Sequence, residues 1–318
     1  MQADPAISPC PYNARLMVDS CGDFTPEVLE KLDVDMLCFP YILDGVEYLD
    51  DIWESQTPKE FYDKIRGGAH ASTSAISLGR YLEIFERCAA EGTPTVYLCL
   101  TGGLSSSASV ARMAAEQCMA AHPGFEVYVV ESTPSATTEL LAIEAVRERK
   151  AGLSAKQLAA WLEEAKNYMH GYFTLDGLEQ LAAGGRIPPA AAQLSSKLDI
   201  KVTLSYDFSG TLTLVGVSRG RKKALRSLVK SFLENRDPKL NAPGVILTAD
   251  AEKDGDWLEA AVRKEKGCED MVILRGSVGP ILGCHVGPGM VAFGFWGKDR
   301  RDNMSLSDRI ANRAKRDE

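Results

Sequence analysis

Four short segments of this chain bring hydroxyl, glycine, imidazole and guanidinium groups together in ways that suit a small anion. Ser72-Thr73-Ser74-Ala75-Ile76-Ser77 stands just ahead of a helical pattern, and Thr101-Gly102-Gly103-Leu104-Ser105-Ser106-Ser107 joins a strand-like run to a helical one. A strand-to-helix turn aims backbone N–H groups and a helix N-terminus at whatever sits above the sheet's carboxyl edge. Neutral hydroxyls added there suit a carboxylate or a phosphate, and the same residues serve equally as N-caps and turn formers. The third segment, residues 279–289, sets His285 among small and apolar residues, where an imidazole is either a ligand or a satisfied packing group. In the fourth, Gly184-Gly185-Arg186-Ile187, an arginine stands just past a helix end and meets either terminal carbonyls or solvent.

Several other kinds of chemistry are excluded by pattern. There is no G-x-x-x-x-G-K-[ST], no H-E-x-x-H and no G-x-S-x-G, and the four histidines are too far apart in sequence to show metal-ligand spacing. Gly287-Pro288-Gly289-Met290-Val291-Ala292 fits a relaxed dinucleotide fingerprint but runs into a strand-like stretch instead of opening a helix. With 36 basic and 44 acidic side chains the net charge is −8, a field that repels polyphosphate. Eight cysteines, none in a C-x-x-C pair and several in apolar contexts, read as reduced buried thiols of a cytoplasmic protein. No apolar run approaches the ~18 residues of a membrane span, and the first 15 residues lack the apolar stretch of a secretory leader. No cofactor and no metal are expected.

The elements that must position these groups alternate. Apolar runs at 16–18, 36–42, 95–100 and 126–130 read as strands. Between them come helical patterns, two opened by capping boxes, Thr57-Pro58-Lys59-Glu60 and Ser154-Ala155-Lys156-Gln157. Strands alternating with helices predict βαβ units and a largely parallel sheet. Further on, 200–204 and 211–217 alternate like strands about a turn at 207–210. A helical stripe (224, 225, 228, 229, 232, 233), strands at 245–248 and 271–274, a helix at 257–262 and a strand-like 290–296 follow. At 318 residues the chain has room for two domains. The expected division is an N-terminal α/β domain over 15–165, a C-terminal α/β domain over 166–297 and a charged tail over 298–318.

The ordered set of motifs resembles the DegV family, the fatty-acid-binding subunits of bacterial fatty acid kinase. Met17-Val18-Asp19-Ser20 with Asp23 is similar to the family's "DS…D" opening, and Phe39-Pro40 with Asp44-Gly45-Val46-Glu47-Tyr48-Leu49-Asp50 to its "P…DG..Y.D" stretch. Thr73-Ser74-Ala75-Ile76-Ser77 matches "TSQPS" at three of five positions, and Leu104-Ser105-Ser106-Ser107 resembles "LSGT". Leu178-Glu179 with Gly184-Gly185-Arg186-Ile187 matches "LE.L..GGRI", Asp199-Ile200-Lys201-Val202 resembles an acid or amide before "IKP", and residues 219–224 resemble "RGRKKA". His285-Val286-Gly287-Pro288-Gly289 is "HxGPG" in full, and the likeness runs from about 15 to 297.

The resemblance implies a two-domain α/β fold with a long-chain fatty acid in an apolar tunnel between the domains. It implies a carboxylate held by Thr73, Ser105 and His285, with Ser74, Ser106 and Gly287 supporting the loops. A separate ATP-dependent kinase would convert the acid to an acyl phosphate. Arg186 and Lys222 belong to that docking or phosphorylation step, so Arg186→Ala is expected to spare lipid binding. Peripheral or transient membrane contact fits such a carrier; nucleic acid does not. Four substitutions in two loops depart from the family pattern. Ala75 and Ile76 replace Gln and Pro, removing a polar group beside the head-group site, and Ser106 and Ser107 replace Gly and Thr, removing the glycine's backbone freedom. Two competing readings remain. One is an acyl hydrolase with Ser105 as nucleophile, His285 as base and Asp19 as orienter. The other is a nucleic-acid-binding regulator using the basic run 219–223.

Overall fold

The computed structural model describes residues 9–190, 192 and 199–303. Strand β1 (Arg15–Asp19) is buried at every position, and a strand apolar on both faces needs cover on both sides. It pairs in parallel with β2 (Asp35–Leu37) and β6 (Thr95–Leu100), and β6 pairs in parallel with β7 (Val127–Ser132), giving the order β2-β1-β6-β7. A small antiparallel sheet, β4 (Val46–Leu49), β3 (Pro40–Leu43) and β5 (Ala71–Thr73), stands beside it.

Helix α1 (Pro26–Leu32) is capped by Thr25. Helix α2 (Pro58–Arg66) starts at the predicted capping box, with Thr57 N–H donating to Glu60 Oε2 (2.8 Å) and Glu60 N–H to Thr57 Oγ1 (3.3 Å). Helices α3 (Leu78–Glu91) and α4 (Ser107–Ala121) pack on each other, and α4 and α6 (Ala155–Ala165) cover β7. Helix α5 (Ala136–Lys150) lies between the parallel sheet and the sheet that follows.

The chain leaves the first sheet system between α6 and β8 (Met169–Thr174). The remaining strands are β9 (Ile200–Tyr206), β10 (Leu212–Arg219), β11 (Gly244–Thr248), β12 (Ile273–Ser277) and β13 (Val291–Trp296). They form a six-stranded sheet of order β10-β9-β8-β13-β11-β12, antiparallel except for β11–β12. The two-residue period of a strand divides its core in two. Tyr172, Phe293 and Phe295 face α8 (Arg221–Asn235) and α9 (Glu252–Arg263), while Phe173 and Ala292 join a core continuous with the first sheet. Between β8 and β9 lies the short α7 (Glu179–Ala183), and between β12 and β13 lies α10 (Pro280–Val286).

One expected strand is corrected, and two helices lie where no helix is expected. The run 36–42 is not one strand. It breaks at Cys38-Phe39, where Phe39 N–H donates to Ser20 Oγ (3.1 Å) and Phe39 O accepts from Asp50 N–H (2.9 Å), and Pro40 has no N–H to extend a ladder. Helix α5 carries no amphipathic signal because it is buried almost all round, Thr137, Thr138, Glu139 and Arg149 included. The glycine-rich stretch 279–289 is a helix for most of its length. Pro280 occupies its first turn, where a missing N–H costs nothing. Of the tail, Arg300–Asn303 form a 3-10 turn, and 304–318 lie outside the described residues, as do 1–8 at the start. No described helix is long and apolar enough to cross a membrane.

Candidate ligand site

A cavity of about 320 Å³ opens between the two sheet systems, within the size range of small-molecule sites. Its apolar wall includes Phe39, Leu100, Phe173, Tyr206, Ile281 and Met290, and its polar wall is Thr73, Ser74, Ser105, Ser106, Arg186 and His285. Six of the eight residues expected at a ligand or partner site therefore meet in one place, from segments far apart in sequence.

Thr73 closes β5, whose pairing with β3 (Tyr41 opposite Thr73) turns it toward the second sheet system. His285 stands in the last turn of α10. Thr73 Oγ1 and His285 Nε2 are 2.8 Å apart, a hydrogen bond that joins the two halves of the molecule at the cavity. The other ring nitrogen, Nδ1, is buried without a hydrogen-bond partner among the described residues and faces Gly184, where any Cβ would overlap it. Burial, with the nearby Arg186 charge adding to it, pushes the His285 imidazole down to about 4, so it is neutral at pH 7.

Ser105 lies in the β6–α4 turn. Its Oγ bonds Ser107 Oγ (3.1 Å) and accepts from Ser107 N–H (3.2 Å). Ser106 has φ −72° and ψ −6°, ordinary helical backbone, so the glycine of the family pattern is not required there. Gly287 does not line the cavity. It ends α10 at φ 67°, its N–H donating to Gly283 O (2.9 Å), which is the left-handed geometry that favours glycine.

The two residues expected at a partner step are placed differently from each other. Arg186 is not confined to an outer face. Its guanidinium lines the cavity and donates to Gly184 O and to Leu104 O (the latter at 3.2 Å), bracing the Ser105 turn from the opposite side. Burial lowers its pKa. Lys222 is exposed in the first turn of α8, away from the cavity. Its neighbour Arg221 is spent internally, with Nε on Asp254 Oδ2 (2.7 Å), Nη2 on Gly289 O (2.5 Å) and Nη1 3.4 Å from Asp176. The 219–223 run is therefore less basic toward solvent than its sequence reads, which weakens the nucleic-acid reading.

The hydrolase arrangement is not formed. Ser105 Oγ is engaged by Ser107, and His285 meets Thr73 instead. Asp19, the intended orienter, accepts from Leu100 N–H (2.7 Å), Cys21 N–H (3.1 Å) and Tyr97 Oη (3.3 Å), within its own sheet. The sequence reading missed the role of Gly184, whose lack of a side chain leaves room for His285 Nδ1. It also missed the contact of Gly103 with Gly210, where a Cβ on Gly103 would stand 2.5 Å from Ser209 O and Gly210 C.

What the geometry offers is a neutral donor set and one guanidinium at the mouth of an apolar space. A buried anionic head needs hydrogen-bond partners, and the apolar wall suits a hydrocarbon tail.

Comparisons with known proteins place the chain in a lineage. A sequence profile described as an uncharacterised protein of the DegV family matches residues 13–298. A DegV domain-containing protein of Clostridium perfringens is 31% identical over 284 residues, covering 89% of this chain and 97% of the relative. A DegV family protein from Thermus thermophilus, solved for its fatty acid binding, superposes with a TM-score of 0.76 at 26% identity, covering 90% of this chain and 99% of that one. A hypothetical protein from Thermotoga maritima whose structure reveals a fatty-acid-binding function superposes with a TM-score of 0.75 at 25% identity, covering 90% of this chain and all of that one, 100%. With nearly its whole length matched by the profile and by a relative above 30% identity, the chain belongs to the DegV family.

Proposed function

We propose that the protein is a carrier that binds a long-chain fatty acid in the cavity between its lobes and presents the carboxyl group to a separate ATP-dependent kinase for acyl-phosphate formation. The observation that carries this reading is the Thr73–His285 pair set at the edge of an apolar cavity, with Ser105 and Arg186 in the same wall. A tail of about 16 carbons contributes on the order of 0.8 kcal/mol per buried CH₂, about 12 kcal/mol before ordering costs, so burial drives uptake. Hydroxyls and a neutral imidazole satisfy the carboxylate without a fixed counter-charge on every side, leaving one oxygen able to attack a phosphoryl donor. The fatty-acid-binding relatives from Thermus and Thermotoga support the ligand class. The kinase partner rests on the family resemblance and on the exposed Lys222. Docking there leaves the protein in the cytoplasm with transient access to membrane-derived acids.

Native mass spectrometry of the protein purified from a bacterial host tests the reading. A stoichiometric adduct of fatty-acid mass, lost on denaturation, is the expected result. Thr73→Ala, Ser105→Ala and His285→Ala should each weaken acid binding about tenfold or more, the range for hydrogen bonds to a charged group. Arg186→Ala should now weaken it too, because the side chain lines the cavity, besides slowing acyl-phosphate formation. A protein that takes up no added fatty acid, or head-group variants with unchanged affinity, sinks the assignment.

A further inference from the structure

Three buried carboxyl groups stand next to the site and take no part in the reading above. Asp19, Asp23 and Asp50 are 1%, 4% and 2% exposed. Asp19 is satisfied within its own sheet. Asp23 reaches across to the other lobe. Its Oδ1 accepts the Gly279 N–H at 2.8 Å, and its Oδ2 accepts the Ser135 hydroxyl at 2.7 Å. Gly279 is the N-cap of α10, and α10 carries His285.

The junction is tight. A Cβ on Gly279 would stand 2.8 Å from Asp23 Oδ1 and 3.5 Å from Asp50 Oδ2. Tyr62 Oη donates to the carbonyl of Val278 at 2.6 Å, and a Cβ on Gly283, one turn further on, would stand 2.8 Å from both Phe61 and Tyr62. Helix α10 has no side-chain cap of its own, and a helix of two turns does not hold itself in place. Without Asp23 the buried Gly279 N–H would be an orphan donor.

We infer that Asp23 is a positioning residue for the head-group site, fixing the start of α10 from the opposite lobe and thereby setting His285 against Thr73. The role of that placement in ligand binding rests on the fatty-acid reading; the placement itself does not. Asp23 sits at φ 53° and Ser135 at φ 69°, a pair of left-handed residues that persist where the surroundings over-determine them. Ser135 is itself tied down by its N–H to Cys21 O at 2.7 Å. Burial raises the Asp23 carboxyl well above the usual carboxylate range. An asparagine keeps the contact to α10, its oxygen accepting from Gly279 N–H, while its amide donates to Ser135 Oγ where Asp23 Oδ2 accepts, and asparagine tolerates the left-handed region. Alanine reproduces neither.

The test is an NMR titration of the His285 ring in lipid-free protein, paired with the affinity for a fatty acid relative to the alcohol of the same length. In the wild type the ring should titrate near 4. Asp23→Ala should raise that by at least one pH unit toward the ordinary value of about 6.5 and cut the acid-over-alcohol preference about tenfold or more. Asp23→Asn should match the wild type. Gly279→Ala attacks the same contact from the other side. With φ at −64° it carries no backbone penalty, and it decides the matter if Asp23→Ala does not fold. A folded Asp23→Ala or Gly279→Ala protein with wild-type titration overturns the inference, as does an Asp23→Asn protein that behaves like Asp23→Ala. A wild type that binds no fatty acid overturns the carrier reading alone, because the titration still reports the position of His285.

Discussion

The two walls of the cavity are built by different means. The first lobe offers hydroxyls from a strand end and a turn, Thr73 on β5 and Ser105 between β6 and α4. The second lobe offers nitrogen groups from short helices, His285 on α10 and Arg186 beyond α7. Each set is braced by the opposite lobe. Arg186 holds the Leu104 carbonyl next to Ser105, while Asp23 and Tyr62 hold the start of α10. Neither lobe contains a finished site. Moving them apart would dismantle the donor set at one stroke, yet leave intact the outer core of Leu225, Phe232, Phe293 and Phe295. On the carrier reading, affinity for the head group and contact between the lobes are therefore the same property measured in two ways.

The sharpest way to break that comparison is at the β9–β10 hairpin. Gly210 has φ 76°, and a Cβ there would overlap Thr101 Oγ1 and press on Thr101 Cβ at 2.7 Å. Gly45 has a similar φ of 81° with nothing within 4 Å. Gly45→Ala isolates the backbone penalty, about 1 kcal/mol. Gly210→Ala adds the forced separation of the hairpin from the Ser105 turn and should cost about 3 kcal/mol in urea denaturation, with weaker acid binding alongside. Equal losses at the two glycines would show that this interlobe contact contributes nothing.

Much of the site was legible because its groups lie in short local patterns. Thr73, Ser105, Arg186 and His285 each sit in a recognisable string, and four such strings in order identify the family. What holds them was not legible. The Asp23–Gly279 bond joins residues 256 apart, and no local pattern announces it. The α10 helix was hidden by its glycines, one of which, Gly283, is there because Phe61 and Tyr62 leave no room for a side chain. Helix α5 was hidden by burial on nearly every side, which erases the polar face that betrays a surface helix. The parallel sheet was the easy part, since β1, β6 and β7 follow the alternation of strand and helix that dictates it.

The junction between the lobes should also show in how stability depends on pH. Burial pushes Asp50 up to about 7 and Glu139 up to about 8, and raises Asp23 as well. Unfolded, these acids ionise near 4. The folded state therefore binds more protons above that pH, and unfolding free energy falls as pH rises, until each folded value is passed. His170 and His285, pushed down to about 4, act in the opposite sense, destabilising the fold as pH drops below about 6.5. Above pH 6.5 the carboxyls act alone. Stability should decline by on the order of 2 kcal/mol between pH 6.5 and 8, and Glu139→Gln should flatten the curve. A level or rising profile across that window would place the buried protons elsewhere.

The smallest effect separates two adjacent basic residues. Arg221 belongs to the architecture, tying α8 to Asp254 on α9 and to the Gly289 carbonyl in the loop that follows His285. Removing it strands the buried Gly289 carbonyl and takes the nearest cation from Asp254, so Arg221→Ala should cost about 1–2 kcal/mol. Lys222 is exposed, so Lys222→Ala should change stability by no more than about 0.5 kcal/mol and leave fatty-acid affinity untouched. If the protein presents its ligand to a kinase as proposed, the effect is expected in a kinase-coupled assay alone, as slower acyl-phosphate formation whose deficit against the wild type shrinks as salt is added, because an exposed charge acts on a partner through a screened field. If Lys222→Ala instead lowers lipid affinity, the first turn of α8 reports on the cavity, and the division between an internal arginine and an outward lysine fails.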